Sequence, residues 1–344
     1  MIRKDLASLP VYVPGAREQS ADTIKLSSNE SAVGPLPSVQ EAMREALAGA
    51  NRYPDMGAVE LREALASHLG VTFDEVAVGT GSSALCQQLV CATAQPGDEV
   101  IFPWRSFEAY PIFVQIAGAT ARPIPLDAQH RVDLEAMARA ITDSTRLIFV
   151  CNPNNPTGTT ITTAEWDAFM AKVPAHVTVA LDEAYFEYNR AADTPVVTEE
   201  ITKYPNVVGL RTFSKAYGLA GVRVGYAFGP AELIEGINKV AVPFSVSSVA
   251  QAGALASLEA SEELAARVEE TCAQRERLTE TLKAYGTPPS QTNFVWLPNT
   301  PKDFAADLAD HDVLVRSFPE GTRITVTNEE ETDALLSALD TVLD

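Results

Sequence analysis

Two hydrophobic rhythms alternate along the chain. Short, mostly apolar runs occur at 76–78, 99–102, 147–150, 177–181, 207–210 and 224–228. Between them lie segments whose apolar positions recur at helical spacing, such as 83–94 and 164–172. A short, mostly apolar run suits a strand covered on both faces, and the helical spacing suits an element that buries one side. Strands alternating with helices predict an α/β domain with a mostly parallel sheet. Sheets of that kind collect ligands at the carboxyl ends of their strands, so the chemistry is expected just after the apolar runs. The flanks read differently. Residues 1–30 are irregular and carry Pro10 and Pro14, and helices are predicted at 38–48 and 58–69. Beyond Val240 the pattern predicts helices at 247–258 and 262–284, strands at 293–297, 313–316 and 323–326, and a closing helix at 329–343. This divides the chain into an arm (1–30), a large domain (31–240) and a smaller α+β domain (241–344), against which the arm could pack.

Composition is that of an ordinary globular chain, but the formal charge of −20 narrows the possibilities. Such a surface repels nucleic acid and anionic membrane, so neither is expected as a partner. Any anion site must be built locally from a few arginines and backbone amides. No apolar run reaches bilayer-spanning length, and the first residues lack the apolar core of a secretory signal. Cys86, Cys91, Cys151 and Cys272 form no C-x-x-C pair and read as reduced residues of a cytoplasmic protein. His68, His130, His176 and His311 are scattered, so no metal site is expected.

Candidate chemistry follows the apolar runs. After 207–210 comes Thr212-Phe-Ser-Lys-Ala-Tyr-Gly-Leu-Ala-Gly-Val-Arg223. A lone lysine is most often a solvated charge. Lys215, beside Ser214 and followed by two glycines and Arg223, offers more: an amine able to form an imine with an aldehyde, and a hydroxyl and guanidinium able to hold a phosphate. After 147–150 comes Asn152-Pro-Asn-Asn-Pro-Thr-Gly158, which by itself also suits a plain turn. At the end of 177–181 comes Leu181-Asp-Glu-Ala-Tyr185, where a buried carboxylate, Asp182 or Glu183, needs a partner. After 76–78 comes Val78-Gly-Thr-Gly-Ser-Ser-Ala84, small residues opening a helix, which make a phosphate seat from backbone N–H groups and hydroxyls.

These segments, in this order, resemble the fold-type I pyridoxal-phosphate-dependent aminotransferases, in the branch that contains histidinol-phosphate aminotransferase. The resemblance runs from Tyr12 to Arg323. It implies pyridoxal 5′-phosphate as cofactor, held by Lys215 as an imine, with Asp182 on the ring nitrogen and Asn155 and Tyr185 on the phenolic oxygen. Gly81, Ser82, Ser83, Ser214 and Arg223 would take the phosphate; family members often carry an acidic residue where Ser82-Ser83 stands. Phe107 would stack on the ring, with a core role as its alternative. Tyr53, in Asn51-Arg-Tyr-Pro54, matches a tyrosine that reaches the phosphate of a partner subunit, which implies a homodimer. Arg323 matches the arginine that clamps the substrate's anionic group, and Tyr12, Asn29 and Asn155 are further substrate-binding candidates.

One arginine serves a carboxylate or a phosphate alike, so substrate choice must come from elsewhere in the pocket. The stretch Asn29-Glu-Ser-Ala-Val-Gly34 departs from the Asn-Glu-Asn-Pro-x-Gly usual in the histidinol-phosphate enzymes. The runs Leu9-Pro-Val-Tyr-Val-Pro-Gly15 and Trp104-Arg-Ser-Phe-Glu-Ala-Tyr110 resemble the actinobacterial aromatic amino acid aminotransferases instead. That resemblance implies ping-pong amino transfer between phenylalanine or tyrosine and 2-oxoglutarate, with histidinol phosphate as the alternative donor. A pyridoxal-phosphate-dependent lyase and a non-enzymatic cofactor-binding regulator also stay open; the short arm leaves little room for the DNA-binding domain of such regulators.

Overall fold

The structure is a computed structural model in which residues 6–7, 9, 11–12, 15–16 and 23–343 are described. Its strands are β1 (Ile24–Lys25), β2 (Val76–Gly79), β3 (Glu99–Trp104), β4 (Thr120–Pro125), β5 (Thr145–Cys151), β6 (Thr178–Asp182), β7 (Val207–Thr212), β8 (Gly225–Phe228), β9 (Phe294–Pro298), β10 (Val313–Leu314), β11 (Arg316–Phe318) and β12 (Gly321–Thr325). Seven of them form one sheet in the order β2-β8-β7-β6-β5-β3-β4. Only β8 runs against its neighbours, so the α/β architecture with a mostly parallel sheet is as the hydrophobic pattern predicts. Successive residues of the central strands enter different cores. Ile148 and Val150 join one buried cluster, and Leu147 and Phe149 join another. That alternation follows from side chains pointing to opposite faces, with helices covering both.

Helix starts follow local chemistry. Thr162 and Glu165 form a capping box that opens the helix Thr163–Met170. The helix Pro37–Leu47 has proline in its first turn, where the missing N–H costs nothing. Edge strand β4 escapes the sequence pattern because it carries Pro123 and Pro125, which only an edge strand tolerates. The helices Tyr110–Ala117, Leu134–Arg139, Val197–Lys203 and Ala231–Lys239 are also additional to the predicted set.

The C-terminal part carries a three-stranded antiparallel sheet, β11-β12-β9. The run predicted as one strand over 313–316 is split there. Val313 and Leu314 pair in parallel with β1, while Arg316 begins a hairpin with β12. The arm is therefore not wholly irregular: β1 fixes it to this region. Leu26, 1% exposed, enters the same core as Val295 and Ile324, its N–H donating to Leu314 O and its carbonyl accepting from Thr325 N–H.

One buried ion pair braces the large sheet. Glu183 accepts from the Arg211 Nε at 2.8 Å and from the Val197 N–H at 2.9 Å, and Arg211 lies over the Phe186 ring. Glu183 is thereby satisfied within the fold, whereas its neighbour Asp182 is not.

Candidate active site

A cavity of about 390 Å³ opens at the carboxyl ends of the parallel strands, with the arm and the β11–β12 hairpin as its other wall. Its lining includes Tyr12, Asn29, Ser82, Ser83, Phe107, Asn155, Asp182, Tyr185, Ser214, Lys215, Arg223 and Arg323. Two expected residues are not part of that lining. Gly81 sits just behind it. Tyr53 is 83% exposed, with its ring against Phe244 at 4.8 Å.

Asp182 is the last residue of β6, so strand direction delivers its carboxyl to the cavity floor. It is 4% exposed. Oδ2 accepts from the Tyr110 hydroxyl at 2.6 Å, while Oδ1 is buried without a hydrogen-bond partner. Burial, with the neighbouring Glu183 charge, pushes the carboxyl up to about 6 against the restraining Tyr110 hydroxyl and Ala184 N–H. A buried acceptor without a donor is costly. The opening at Oδ1 suits a cationic N–H.

Lys215 follows β7 in a tight turn anchored by Phe213, a fully buried ring packed on Tyr217 and Tyr226. Its Nζ donates to the Ser28 carbonyl at 3.3 Å. Burial, with the charges of Arg323 and Arg223 adding to it and Glu30 opposing, lowers the amine to about 8. A half-buried amine near neutrality is a usable nucleophile and proton acceptor.

A group of open donors lies at the start of the helix Ser82–Thr93. No side chain caps that end, so the first N–H groups remain open, with the Ser82 and Ser83 hydroxyls beside them. Gly81 adopts φ +80°, and a Cβ there would lie 2.4 Å from Arg223 Nη2. A Cβ on Gly225 would lie 2.5 Å from the Ser82 nitrogen. Only glycine permits this close approach. The Arg223 guanidinium donates to the Ser214 hydroxyl at 3.3 Å and the Ala220 carbonyl at 2.8 Å, and reaches Ser83 Oγ at 3.5 Å.

The opposite wall is cationic too. Arg323, 7% exposed, donates to Asn155 Oδ1 at 2.6 Å and to the Ser27 carbonyl at 2.7 Å, and its Nε has no partner. Asn29 donates from its amide to the Tyr185 hydroxyl at 2.9 Å and is itself held by Thr325 and Asn293. Phe107 stands edge-on to Tyr110, with centroids 5.4 Å apart.

Three groups that shape the site lie outside the sequence-based set of site residues: one buried behind the cavity and two in its lining. Tyr110 resembles a core aromatic until its hydroxyl is seen on Asp182. Arg316 and Glu108 line the far end and form an ion pair at 2.8 Å. Cross-strand register could have exposed Arg316, because it stands directly opposite Arg323; nothing in the sequence singles out Glu108. Among the described residues no His/Cys/Asp/Glu group could hold a metal ion, and no helix is long and apolar enough to cross a membrane.

The donor set fits the pyridoxal phosphate that the sequence resemblance implies. An unpartnered carboxylate oxygen suits a ring N–H, the open helix start with Arg223 suits a phosphate, and Lys215 suits an aldehyde.

Comparison with known proteins identifies the family. The model of the aminotransferase class I and II family matches residues 21–339. An aromatic amino acid aminotransferase of Corynebacterium glutamicum is 65% identical over 343 residues, covering 99% of both chains. One from Mycobacterium bovis is 52% identical, covering 97% of this chain and 96% of its own. Among solved structures, histidinol-phosphate aminotransferase from Sinorhizobium meliloti in complex with pyridoxal-5′-phosphate superposes with a TM-score of 0.89 at 29% identity, covering 99% of this chain and 97% of its own. A Thermus thermophilus aspartate aminotransferase variant gives 0.84 at 26% identity, with 99% of each chain covered.

The lowered amine gives a pH signature. Below about pH 8 the Lys215 amine is protonated, and each further unit removes about tenfold of the neutral form. In cofactor-free protein, the rate of pyridoxal phosphate capture should climb with pH and level off near 8. A stopped-flow absorbance series checks this; a rate still climbing at pH 10 contradicts the assignment.

Proposed function

The chain belongs to the class I and II aminotransferases, and on that footing we propose that it is an aromatic amino acid aminotransferase, moving an amino group between phenylalanine or tyrosine and 2-oxoglutarate. The observation that carries this reading is the cavity's division of labour. The cofactor-side groups, Lys215, Asp182 and Arg223, lie apart from an anion clamp at Arg323, and the remaining wall carries Phe107 and Phe318 beside the mutually paired Arg316 and Glu108. The names of the full-length relatives support the same substrate class.

Pyridoxal phosphate, implied by the family, supplies when bound an aldehyde and an electron-withdrawing ring. Asp182 would hold the ring nitrogen's proton, and the Tyr110 hydroxyl keeps Asp182 oriented and ionised. Ser82, Ser83, Ser214 and Arg223 would fix the phosphate, while Tyr185 and Asn155 would donate toward the phenolic oxygen. Arg323 binds the substrate carboxylate, contributing about 1.5–3 kcal/mol as charge-assisted hydrogen bonds. Lys215 then takes the proton from the substrate's α-carbon, its amine lowered far enough to be uncharged in an appreciable fraction at neutral pH. The first oxo acid leaves before the acceptor enters, which makes the kinetics ping-pong. The carboxylate clamp is common to all amino acids, so selection falls to the side chain. A ring leaving water for an apolar wall gains about 25 cal/mol per Å².

The donor order tests this reading. Phenylalanine and tyrosine should exceed aspartate and histidinol phosphate in kcat/KM, each measured with 2-oxoglutarate under one set of conditions. A preference for histidinol phosphate would overturn the substrate assignment.

Tyr53 supports a homodimer with shared sites. It stands exposed beside Phe244, with Met56 and Val242 also exposed, outside its own chain's cavity. In the dimer it would reach the partner's phosphate seat. Mixing Lys215→Ala with Tyr53→Phe protein should restore activity above either variant alone, since one site of each heterodimer is then free of both changes. No gain, with subunit exchange verified, would mean Tyr53 does not act across subunits.

A further inference from the structure

The far end of the cavity holds two arginines, and the fold treats them differently. Arg316 and Arg323 stand directly opposite each other on β11 and β12. Directly paired residues of antiparallel strands project to the same face. Both guanidiniums accordingly lie near the Phe318 ring, at 5.6 and 5.8 Å, and both line the cavity. Arg323 keeps a buried, unpartnered Nε for an incoming anion. Arg316 instead donates to Glu108 at 2.8 Å, with the two side chains 15% and 29% exposed. Glu108 is held at that point by its loop. Three residues earlier Arg105 grips Glu320 at the tip of the same hairpin through two hydrogen bonds, of 3.1 and 2.9 Å, and stacks on Trp104.

A second cation facing a substrate's side chain would favour ligands with a second anionic group. The Glu108 carboxylate cancels that cation. We propose that Glu108 is the specificity-determining residue of this pocket: by neutralising Arg316 it disfavours substrates with an anionic side chain and leaves an uncharged end for a ring. A dicarboxylate or a phosphate ester can then use Arg316 only by taking the place of Glu108 on it, against the repulsion of that carboxylate. This rests on the aminotransferase reading of the cavity. It explains how one site could serve an aromatic donor with the pair closed and a dicarboxylate acceptor with the pair exchanged.

The test uses cofactor-loaded protein and two unreactive acids, 3-phenylpropionate (one carboxylate and a ring) and succinate (two carboxylates), with dissociation constants from calorimetric titration. Binding of 3-phenylpropionate to wild-type protein first checks the underlying reading; its failure would count against the carboxylate clamp, independently of Glu108. With that binding present, Glu108→Gln should tighten succinate at least tenfold relative to 3-phenylpropionate. The kcat/KM ratio of aspartate to phenylalanine should rise in parallel. Adding Arg316→Met to Glu108→Gln should abolish the gain. A succinate-to-phenylpropionate ratio unchanged within twofold in Glu108→Gln, or a gain that survives in the double variant, overturns the proposal. Retained 3-phenylpropionate binding in the variants shows that the hairpin still closes the site.

Discussion

The site turns on one buried carboxylate. Asp182 ends a central strand with both faces of the sheet covered, so water cannot solvate it. Tyr110 satisfies one of its oxygens and nothing satisfies the other. Raising a carboxyl from 3.8 to about 6 corresponds to about 3 kcal/mol of lost stability in the unloaded chain. The sign follows from the raised folded-state value: the cost is full above about pH 6 and disappears below the ordinary carboxylate range. Such a cost on the floor of a cavity is sensible only if a cation later occupies it.

The remaining charges are arranged around that fact. An acidic chain gathers Lys215, Arg223, Arg316 and Arg323 into one cavity, each with a different environment. Lys215 is desolvated and near neutrality. Arg223 is wired to the helix start. Arg323 is open toward the interior, and Arg316 is tied to Glu108. On the proposed reading, these states separate imine chemistry, phosphate binding, carboxylate binding and side-chain discrimination.

Much of this was legible in the residues. Mostly apolar runs revealed the strands of the parallel sheet, and strand direction then explains why motifs far apart in sequence meet at one end. The Lys215 segment was readable because its glycines and arginine serve a local turn. Long-range partners were not readable. Tyr110 lies on a helix and looks like core, and only the stacking of its ring on Phe149 of the neighbouring strand β5 brings its hydroxyl to Asp182. Glu108 meets Arg316 only because a loop after β3 folds against a hairpin over 200 residues later. Edge strand β4 was hidden by its prolines. The arm's short strand was hidden because its partner, β10, is two residues long.

The most direct measurement concerns Asp182 itself, in Asp182→Asn protein prepared with and without pyridoxal phosphate. The account predicts that cofactor affinity, from equilibrium absorbance titration, falls at least tenfold. The unloaded variant should meanwhile be no less stable than unloaded wild-type protein to urea at pH 7, because the substitution removes a buried charge. Undiminished cofactor affinity, or a loss of several kcal/mol in the unloaded variant, would contradict it and make Asp182 a structural residue.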